Sequence, residues 1–274
     1  MLYPQLTGAQ RALADFVVSE PLEVARMSIH AMVGVVGVSV ASANRFARAL
    51  GYAGYAAFRS DLIRGFEAVF EPTQRLRAQV AIGSSDHEVF ASSLEEDVQN
   101  IKRTLQDLDP EKCRAAVDAI LAARHLYVLG FDKAAHLGAL LTSGLSLARS
   151  DVFCVSNAEG GFGAARRLFQ AEPTDLVIAI AFPRYFRDTI ELTRFAQSQG
   201  ASVLAITDGP RSPLAALARS ALYCHSERRF GASSDASALA LIEGLKAAVM
   251  LRSPGAIEKA ERFASFAFPW VDPN

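Results

Sequence analysis

The sequence predicts a multidomain protein in which an all-α helix-turn-helix domain precedes an α/β domain with a doubly wound parallel sheet. The chain has 274 residues, enough for two domains of ordinary size. Short helical segments with capping residues occupy the first part, and after residue 125 short apolar runs alternate with helical segments. We expect the helical domain over residues 1–72, a linker and connecting helix over 73–107, and the α/β domain over 108–274.

Capping residues mark the helices of the N-terminal domain. Thr7 and Gln10 have the spacing of a capping box. Ser28 can cap the segment IHAMVGVV, and Ser39 can cap the segment VASANRFARAL. Gly51 stands where a glycine commonly follows a helix, and a further helix is expected to begin near Tyr55.

The connecting region begins at Pro72, which ends the first series of helices. The stretch after it has no clean period, which is typical of a linker, and it ends in Ser85 and Glu88 at capping-box spacing. The helix that follows is amphipathic. Its apolar residues, three to five apart, are Val89, Leu94, Val98, Ile101 and Leu105. Asp109 and Pro110 predict the start of another helix.

Short apolar runs predict the strands of the α/β domain. They are HLYVLG, DVFCV, DLVIAIAF, SVLAITD and ALYCH. Helices are expected near 134–148, 161–170 and 187–199, with a short one before the last run and a long one from about 234. Continuous apolar strands joined by helices predict a parallel sheet covered on both faces, and right-handed crossovers make it doubly wound.

Composition narrows the class of protein. The net charge is −1, so any contact with nucleic acid has to come from a local surface. Cys113, Cys154 and Cys224 lack the spacing of metal ligands and predict buried, reduced thiols. A signal peptide and a run of about twenty uncharged apolar residues are both absent from the sequence. We expect a cytoplasmic protein without a membrane partner, a metal or a cofactor.

The stretch GVSVASANRFARALGY, residues 37–52, has the pattern of a helix-turn-helix. Ala43, Phe46 and Leu50 form an apolar stripe on the second helix, which turns its small and polar residues outward. Arginine can read guanine and asparagine can read adenine, so this face predicts contact with double-stranded operator DNA. The residues predicted to make that contact are Ser39, Ala41, Ser42, Asn44, Arg45 and Arg48. A solvated helix in a small bundle is the alternative.

Charge limits what one such domain can do. Residues 1–70 hold six arginines, no lysine and five acids, a net charge of only +1. Affinity for DNA grows with the number of phosphates that a protein neutralises. We therefore expect a dimer or a tetramer that brings two copies of the domain to a palindrome.

Four short motifs of the first domain occur in a fixed order. They are the Leu6-Thr7 start, Ser28-Ile29 before the turn, the GVS corner at 37–39, and RFARALGYAGY at 45–55. With these motifs the domain resembles the RpiR/MurR family of bacterial transcriptional regulators. The resemblance covers nearly the whole chain. It implies a winged-helix-like DNA-binding module followed by a SIS domain that binds sugar phosphates.

Ligands of doubly wound sheets bind beyond the carboxyl ends of the strands. The loops GFDKAAH and AFPRYFRDT follow two predicted strands and lead into helices, whose N-termini favour anions. We predict that a small anionic metabolite, a phosphosugar or a related compound, binds there. The predicted residues are Gly130, Asp132, Lys133, Ala134, Ala181, Arg184, Arg187, Thr189, Ser233 and Ser234.

The second domain departs from the SIS pattern at three positions. Asp132 stands where a second glycine is common, and Ala134 and Ala181 stand where serines are common. A second possibility is therefore a SIS domain that only dimerises. A third is a sugar-phosphate isomerase, which needs a general base. His136 and His225 have no obvious partner in the sequence, and we predict no catalytic residue and no enzyme.

Overall fold

A computed structural model gives the fold and describes residues 3–63, 65, 83–155, 160–229 and 233–270. The chain divides into two compact units, residues 1–74 and 75–274. Among the described residues no single helix is both long and apolar enough to cross a membrane. Only two consecutive short helices, Ile29–Val36 and Val40–Ala49, have the length and composition together, and they are bent by 101°.

The described part of the first unit is helical. After a 3-10 turn at Tyr3–Gln5, its helices are α1 (Gly8–Ser19), α2 (Pro21–Arg26), α3 (Ile29–Val36), α4 (Val40–Ala49) and α5, which is described over residues 55–63. The predicted caps are confirmed: the Thr7 N–H donates to Gln10 at 2.9 Å, and the Ser28 hydroxyl accepts from the N–H of Ala31. The separate helix α2 is absent from the prediction, although Pro21 supplies its first residue.

The core of the first unit holds α4 by one side. Phe46 of α4 is buried and packs edge-on against Phe58 of α5, with ring centroids 5.8 Å apart. Leu13 of α1 and Met32 of α3 are fully buried in the same cluster. Since these contacts determine which side of α4 faces the core, they also determine which side faces solvent.

The second unit is a sheet with helices on both faces, as predicted. Its strands are β1 (Leu126–Leu129), β2 (Val152–Cys154), β3 (Leu176–Ile180), β4 (Ser202–Thr207) and β5 (Ser220–Tyr223). They run parallel in the order β2-β1-β3-β4-β5. The helices are α6 (Asp86–Gln106), α7 (Pro110–Ala122), α8 (Lys133–Leu145), α9 (Gly160–Leu168), α10 (Arg187–Ser198), α11 (Ala236–Arg252) and α12 (Ala256–Ala267). Residues of α7, α8 and α11 cover one face of the sheet, and those of α9 and α10 cover the other.

The helices of this unit differ from the prediction at two places. The short helix expected before β5 is wrong: turns occupy residues 210–217, where Pro210 and Pro213 interrupt the chain. The long helix predicted from about 234 is confirmed as α11. The sequence does not predict α12, which Pro254 and Gly255, whose φ is 70°, separate from α11.

The helix α6, which the sequence groups with the connecting segment, packs against α11 of the second unit. Its capping box of Ser85 and Glu88 is confirmed. Its orientation is opposite to the one that an amphipathic pattern predicts. Asn100 and Thr104 are its buried residues, whereas the apolar positions from Leu94 to Leu105 are exposed.

A buried carboxylate joins the amino ends of β1 and β3. Asp175, whose side chain is fully buried, accepts hydrogen bonds from Arg124 at 2.9 and 3.0 Å and from the N–H of Glu172 at 2.9 Å. Burial alone would raise the pKa of Asp175, but these donors outweigh it and hold that pKa below its ordinary value. The carboxylate therefore stabilises this end of the sheet in its charged form.

All three cysteines are free thiols. Only Cys224 is fully buried, whereas Cys113 and Cys154 are half-buried, so the expectation of burial holds for one of the three. Burial and the nearby charge of Asp208 raise the pKa of Cys224 to about 12. At neutral pH this residue is an unreactive thiol in the core.

Candidate functional site

The first candidate site is the exposed side of the helix-turn-helix. The 101° bend between α3 and α4 lies within the range of such motifs. Gly37 ends α3 with a φ of 75°, a left-handed conformation that glycine adopts without steric cost. Ser39 then caps α4, because its hydroxyl accepts a hydrogen bond from the N–H of Ser42 at 3.1 Å.

Two arginines stand on the open side of α4. Ala41, Arg45 and Arg48 are exposed, as predicted. Arg45 donates to the Ser42 hydroxyl at 3.1 Å, and Arg48 donates to the carbonyl of Ala53 at 3.3 Å. Each of these contacts uses one of the five N–H donors of a guanidinium group, so both side chains can still bind phosphate or a base edge.

Two of the residues predicted to contact DNA form hydrogen bonds within the domain instead. The outward placement of Ser42 is wrong: the residue is buried, and its hydroxyl lies 2.9 Å from that of Ser39. Asn44 is half-buried, and its side-chain oxygen accepts the N–H of Tyr55 at 3.1 Å. Since Gly54 offers no capping side chain, Asn44 caps α5 in its place and ties it to α4.

The second candidate site is a cavity at the point where the strand order reverses. β1 lies between β2 and β3, so the loops that follow β1 and β3 diverge to opposite faces of the sheet. A cavity of about 40 Å³ lies between them. It is lined by Phe131, Asp132, Lys133, Ala134, Ile180, Ala181, Phe182, Pro183, Arg184, Phe186, Thr189, Ser233 and Asp235.

The amino ends of α8, α10 and α11 all contribute to this cavity. Neither Asp132 before α8 nor Phe186 before α10 makes a side-chain capping bond. Unpaired N–H groups and the positive ends of helix dipoles attract anions. The backbone therefore makes this cavity favourable for a negatively charged group.

One cation stands at the cavity with its charge already paired. The ammonium group of Lys133 lies 3.0 Å from a carboxylate oxygen of Asp235 and donates to the carbonyl of Ser233 at 3.1 Å. Both Lys133 and Asp235 are partly exposed. An anion entering the cavity would compete with Asp235 for Lys133, and Asp132 would repel it.

The Thr189 hydroxyl is the least satisfied polar group at the cavity. Thr189 is fully buried, and within the described part of the chain its hydroxyl oxygen has no hydrogen-bond partner. Leaving a buried hydroxyl unpaired costs about 1–3 kcal/mol. A ligand that paired with this group would recover that free energy.

The cavity brings together seven of the ten predicted effector residues. Gly130 lies immediately beside it, where a Cβ would come within 2.9 Å of the Ile180 carbonyl oxygen, so only glycine fits. Arg187 is exposed and does not line the cavity. Ser234 is buried outside it, where its hydroxyl donates to Asp97 of α6. Asp235 has no signal in the sequence, because its role comes from pairing with Lys133, about a hundred residues away in the chain.

Tyr185 holds the loop after β3 against the end of β4. Its hydroxyl donates to Asp208 at 2.8 Å. Burial first, and then this bond to a carboxylate, raise the pKa of the Tyr185 hydroxyl far above its ordinary value. The hydroxyl therefore remains a neutral donor, and it anchors the loop on one side of the cavity.

Backbone strain occurs on both sides of the same cavity. Asp132 has φ 56° and ψ −130°, and Arg184 has φ 70°; these are the non-glycine residues with positive φ in the described chain. Such conformations cost about 1–3 kcal/mol each and concentrate at functional sites. Asp132 thus occupies a glycine-type conformation, which explains why glycine is common at that position of the SIS pattern.

Replacing Asp132 with glycine is expected to stabilise the second unit. Relief of strain outweighs the added entropy of the unfolded chain, and the net gain is about 1 kcal/mol. Asp132→Asn removes the same charge but keeps the Cβ, so it should gain less than half as much. Urea unfolding of the two variants beside the parent chain measures the difference, and equal stabilities for both variants would assign the effect to charge.

Comparison with known proteins decides the family. The profile described as "Helix-turn-helix domain, rpiR family" matches residues 1–68, and the profile of the SIS domain matches residues 119–250. The chain belongs to the RpiR family of helix-turn-helix transcriptional regulators. As an RpiR-family protein it is a DNA-binding regulator with a SIS domain, as the sequence predicts.

Relatives of this RpiR-family protein match either most of the chain or its SIS domain alone. It is 26% identical to the HTH-type transcriptional regulator HexR of Pseudomonas aeruginosa over 214 aligned residues. The aligned region covers 77% of this chain and 72% of HexR. The structure of the sugar isomerase domain of an RpiR transcription factor from Sphaerobacter thermophilus aligns with 27% identity and a TM-score of 0.60. The alignment covers 64% of this chain and 97% of that domain. The Vibrio vulnificus NanR protein, solved with ManNAc-6P, covers 98% of this chain and 96% of its own, with 19% identity and a TM-score of 0.61, and shows the same fold.

Isomerases share the fold of the second unit. Phosphoheptose isomerase from Neisseria gonorrhoeae covers 60% of this chain and 98% of its own, with 14% identity and a TM-score of 0.52. Of the described residues that line the cavity, none is a histidine or a glutamate. His136 is exposed on α8, and His225 lies 2.7 Å from Asp107, away from the lining residues.

Proposed function

We propose that this regulator binds its operator through Arg45 and Arg48 of α4 and is controlled by a phosphorylated sugar that binds at the cavity between β1 and β3. The observation that carries the proposal is the buried, unpartnered Thr189 hydroxyl beside three helix amino ends. A ligand with an anionic group and hydroxyls matches both features: the anion meets the helix ends and Lys133, and an oxygen pairs with Thr189. NanR, which has the same fold, was solved with a phosphorylated amino sugar.

Binding of such a ligand has to change the shape of the site. A cavity of about 40 Å³ holds only a few water molecules, far less than a phosphosugar needs. The rings of Phe131 and Phe186, 6.4 Å apart, stand on the two loops that would have to separate. A ligand that binds the open form alone shifts the protein toward that form, by its differential affinity and no more.

Oligomerisation belongs to the same proposal. A single helix-turn-helix unit with net charge +1 neutralises few phosphates, so a dimer or tetramer on a palindromic operator is needed for tight binding. We further propose that the SIS domain senses its ligand without turning it over, and that the protein acts in the cytoplasm, where its operator is.

The test is fluorescence anisotropy of the full chain on the DNA upstream of its own coding region, at several salt concentrations. A panel of phosphosugars, each with its unphosphorylated counterpart, is added in turn. We expect tight binding with a steep salt dependence, shifted by one phosphate ester and not by the free sugar. Tight binding that no ester alters would contradict the effector proposal, and turnover of an ester would restore the isomerase alternative.

Replacing Thr189 with valine is expected to raise the stability of the ligand-free protein and to lower its affinity for the effector. Valine has the same shape without the unpaired hydroxyl, so the ligand-free protein should gain about 1 kcal/mol of stability. The affinity for the effector should fall about tenfold, because the hydrogen bond to the ligand is lost. Thermal unfolding with and without the ester measures both effects.

Thr193→Val is the matched control. Thr193 is equally buried one turn later on α10, but its hydroxyl donates to the carbonyl of Thr189 at 2.6 Å. This variant should lose about 1 kcal/mol of stability and keep its affinity for the effector. If the two valine variants behaved alike, Thr189 would have no special role.

A further inference from the structure

The helix α6 binds its own unit through polar residues. The side chain of Asn100, which is 3% exposed, donates to the carbonyl of Glu227 at 2.8 Å. The Thr104 hydroxyl accepts the N–H of His225 at 2.9 Å, and Arg103 forms a bidentate ion pair with Glu227. These contacts attach the inner side of α6 to the segment that follows β5.

The outer side of α6 is an apolar stripe in contact with solvent. The exposed fractions are 72% for Phe90, 64% for Leu94, 47% for Val98, 38% for Ile101 and 69% for Leu105. A helix that buries its polar side and exposes its apolar side is inverted relative to an ordinary surface helix. A contiguous patch of this kind marks an interaction surface.

An apolar groove continues this stripe. It has a volume of about 320 Å³. Ile101 and Leu105 of α6 form one wall, Leu241 and Leu245 of α11 form the other, and Val117 of α7 lies between them. The stripe and the groove are therefore one surface on the second unit.

We propose that a second copy of this chain covers the stripe, with the two α6 helices paired antiparallel about a two-fold axis. The inference rests on the proposed function only for the expectation of an oligomer. The 4-3-4 spacing of Leu94, Val98, Ile101 and Leu105 is that of a coiled-coil seam. In antiparallel pairing, Leu94 meets Leu105 of the partner subunit and Val98 meets Ile101 of the partner subunit.

Charge complementarity selects the antiparallel arrangement and a second copy as the occupant. Glu95 and Lys102 are exposed and seven residues apart, so they flank the stripe on the same side of the helix. Antiparallel pairing brings Glu95 of each copy near Lys102 of the partner subunit, twice by symmetry. In parallel pairing the equivalent residues of the two copies would lie on opposite sides of the stripe, and Glu95 would be far from Lys102 of the partner subunit.

The same register gives the groove an occupant. With Leu94 opposite Leu105, Phe90 extends past the carboxyl end of the opposing α6, where the groove is lined by Leu105 and Leu108. On both copies, the exposed ring of Phe90 is then buried in the apolar groove of the partner subunit. Because Ser234, next to the cavity residues Ser233 and Asp235, bonds to Asp97 of α6, this interface is also connected to the effector site.

The test is a charge exchange in the full chain, read by sedimentation velocity over a range of protein concentrations. Glu95→Lys and Lys102→Glu should each raise the dissociation constant of the dimer about tenfold, since each turns two attractive pairs into repulsive ones. The double variant, with both charges reversed, should return to near the parent value. Arg219→Glu, an exposed charge at the amino end of β5, is the control and should change nothing.

Phe90→Ala separates the groove from the charges and should also weaken the dimer about tenfold. A dimer that both single charge reversals leave intact, or one that the double variant fails to restore, overturns the proposed pairing. These outcomes are distinct from failure of the proposed function, because operator binding and the phosphosugar response are measured separately on the same variants.

Discussion

Replacing Arg45 with alanine is expected to weaken operator binding by about 1–3 kcal/mol for each half-site, if the guanidinium reads a base. A dimer on a palindrome makes the contact twice, so the total loss is about 2–6 kcal/mol. Arg45 is exposed on the open side of α4, and its side chain donates one hydrogen bond in the described chain, to the Ser42 hydroxyl. Anisotropy titrations with the operator and with a scrambled duplex measure both affinity and specificity.

Arg26→Ala is the matched control for this experiment. Arg26 is also an exposed arginine of the first unit, but it lies on α2 and pairs with Glu23. Its loss should weaken binding little and equally on both duplexes. If Arg45→Ala weakened binding to operator and scrambled DNA by the same factor, Arg45 would contact phosphate only, and base reading would have to come from another residue.

Replacing Asp175 with asparagine is expected to destabilise the second unit by roughly 2–3 kcal/mol at pH 7. The fully buried carboxylate accepts three hydrogen bonds, two of them from Arg124. An amide keeps one acceptor oxygen and presents an NH₂ group to a cationic donor. Because Arg124 is 42% exposed and can be hydrated, the loss stays below that of a wholly buried ion pair.

The pH dependence of stability provides a second test of the role of Asp175. The pKa of Asp175 is lowered by folding, so its contribution is complete above the ordinary pKa of a carboxyl group and is lost as the pH falls through the folded pKa. The parent chain should therefore lose stability toward acid pH, and the gap to Asp175→Asn should narrow there. Urea unfolding followed by circular dichroism at pH 7 and in mild acid measures the gap.

Asp118→Asn is the control for the loss of an acid. Asp118 forms an ion pair with Arg252, but both side chains are about half exposed. Such surface pairs contribute about 0–1 kcal/mol. A loss as large as that of Asp175→Asn would mean that net charge, and not the buried hydrogen bonds, controls the stability of this unit.

Local chemistry made much of the fold predictable. The caps at Thr7, Ser28, Ser39 and Ser85 depend on residues within three positions in the chain, and each is present in the structure. The strands follow from continuous apolar runs, which only a sheet covered on both faces accommodates. The helices that were missed or misplaced, α2, α12 and the segment before β5, all lie beside prolines that interrupt the pattern.

The candidate sites divide in the same way. Strand ends and helix starts could be located in the sequence, so seven of the ten residues predicted for effector binding line one cavity. The roles of Ser42 and Asn44 could not be predicted from the sequence, because a hydroxyl or an amide on a short helix can face DNA or cap a neighbouring element. Asn44 bonds to Tyr55 only because α5 folds back against α4.

By itself, the sequence determined the two-domain order, the helix-turn-helix, the parallel sheet and the family. These depend on periodicity, capping and motifs that act over a few residues. The tertiary structure alone decided that the Thr189 hydroxyl is unpaired, that Asp235 holds Lys133, and that α6 turns its apolar stripe outward. Burial and pairing join residues that are far apart in the chain, and no local pattern specifies which partner each one meets.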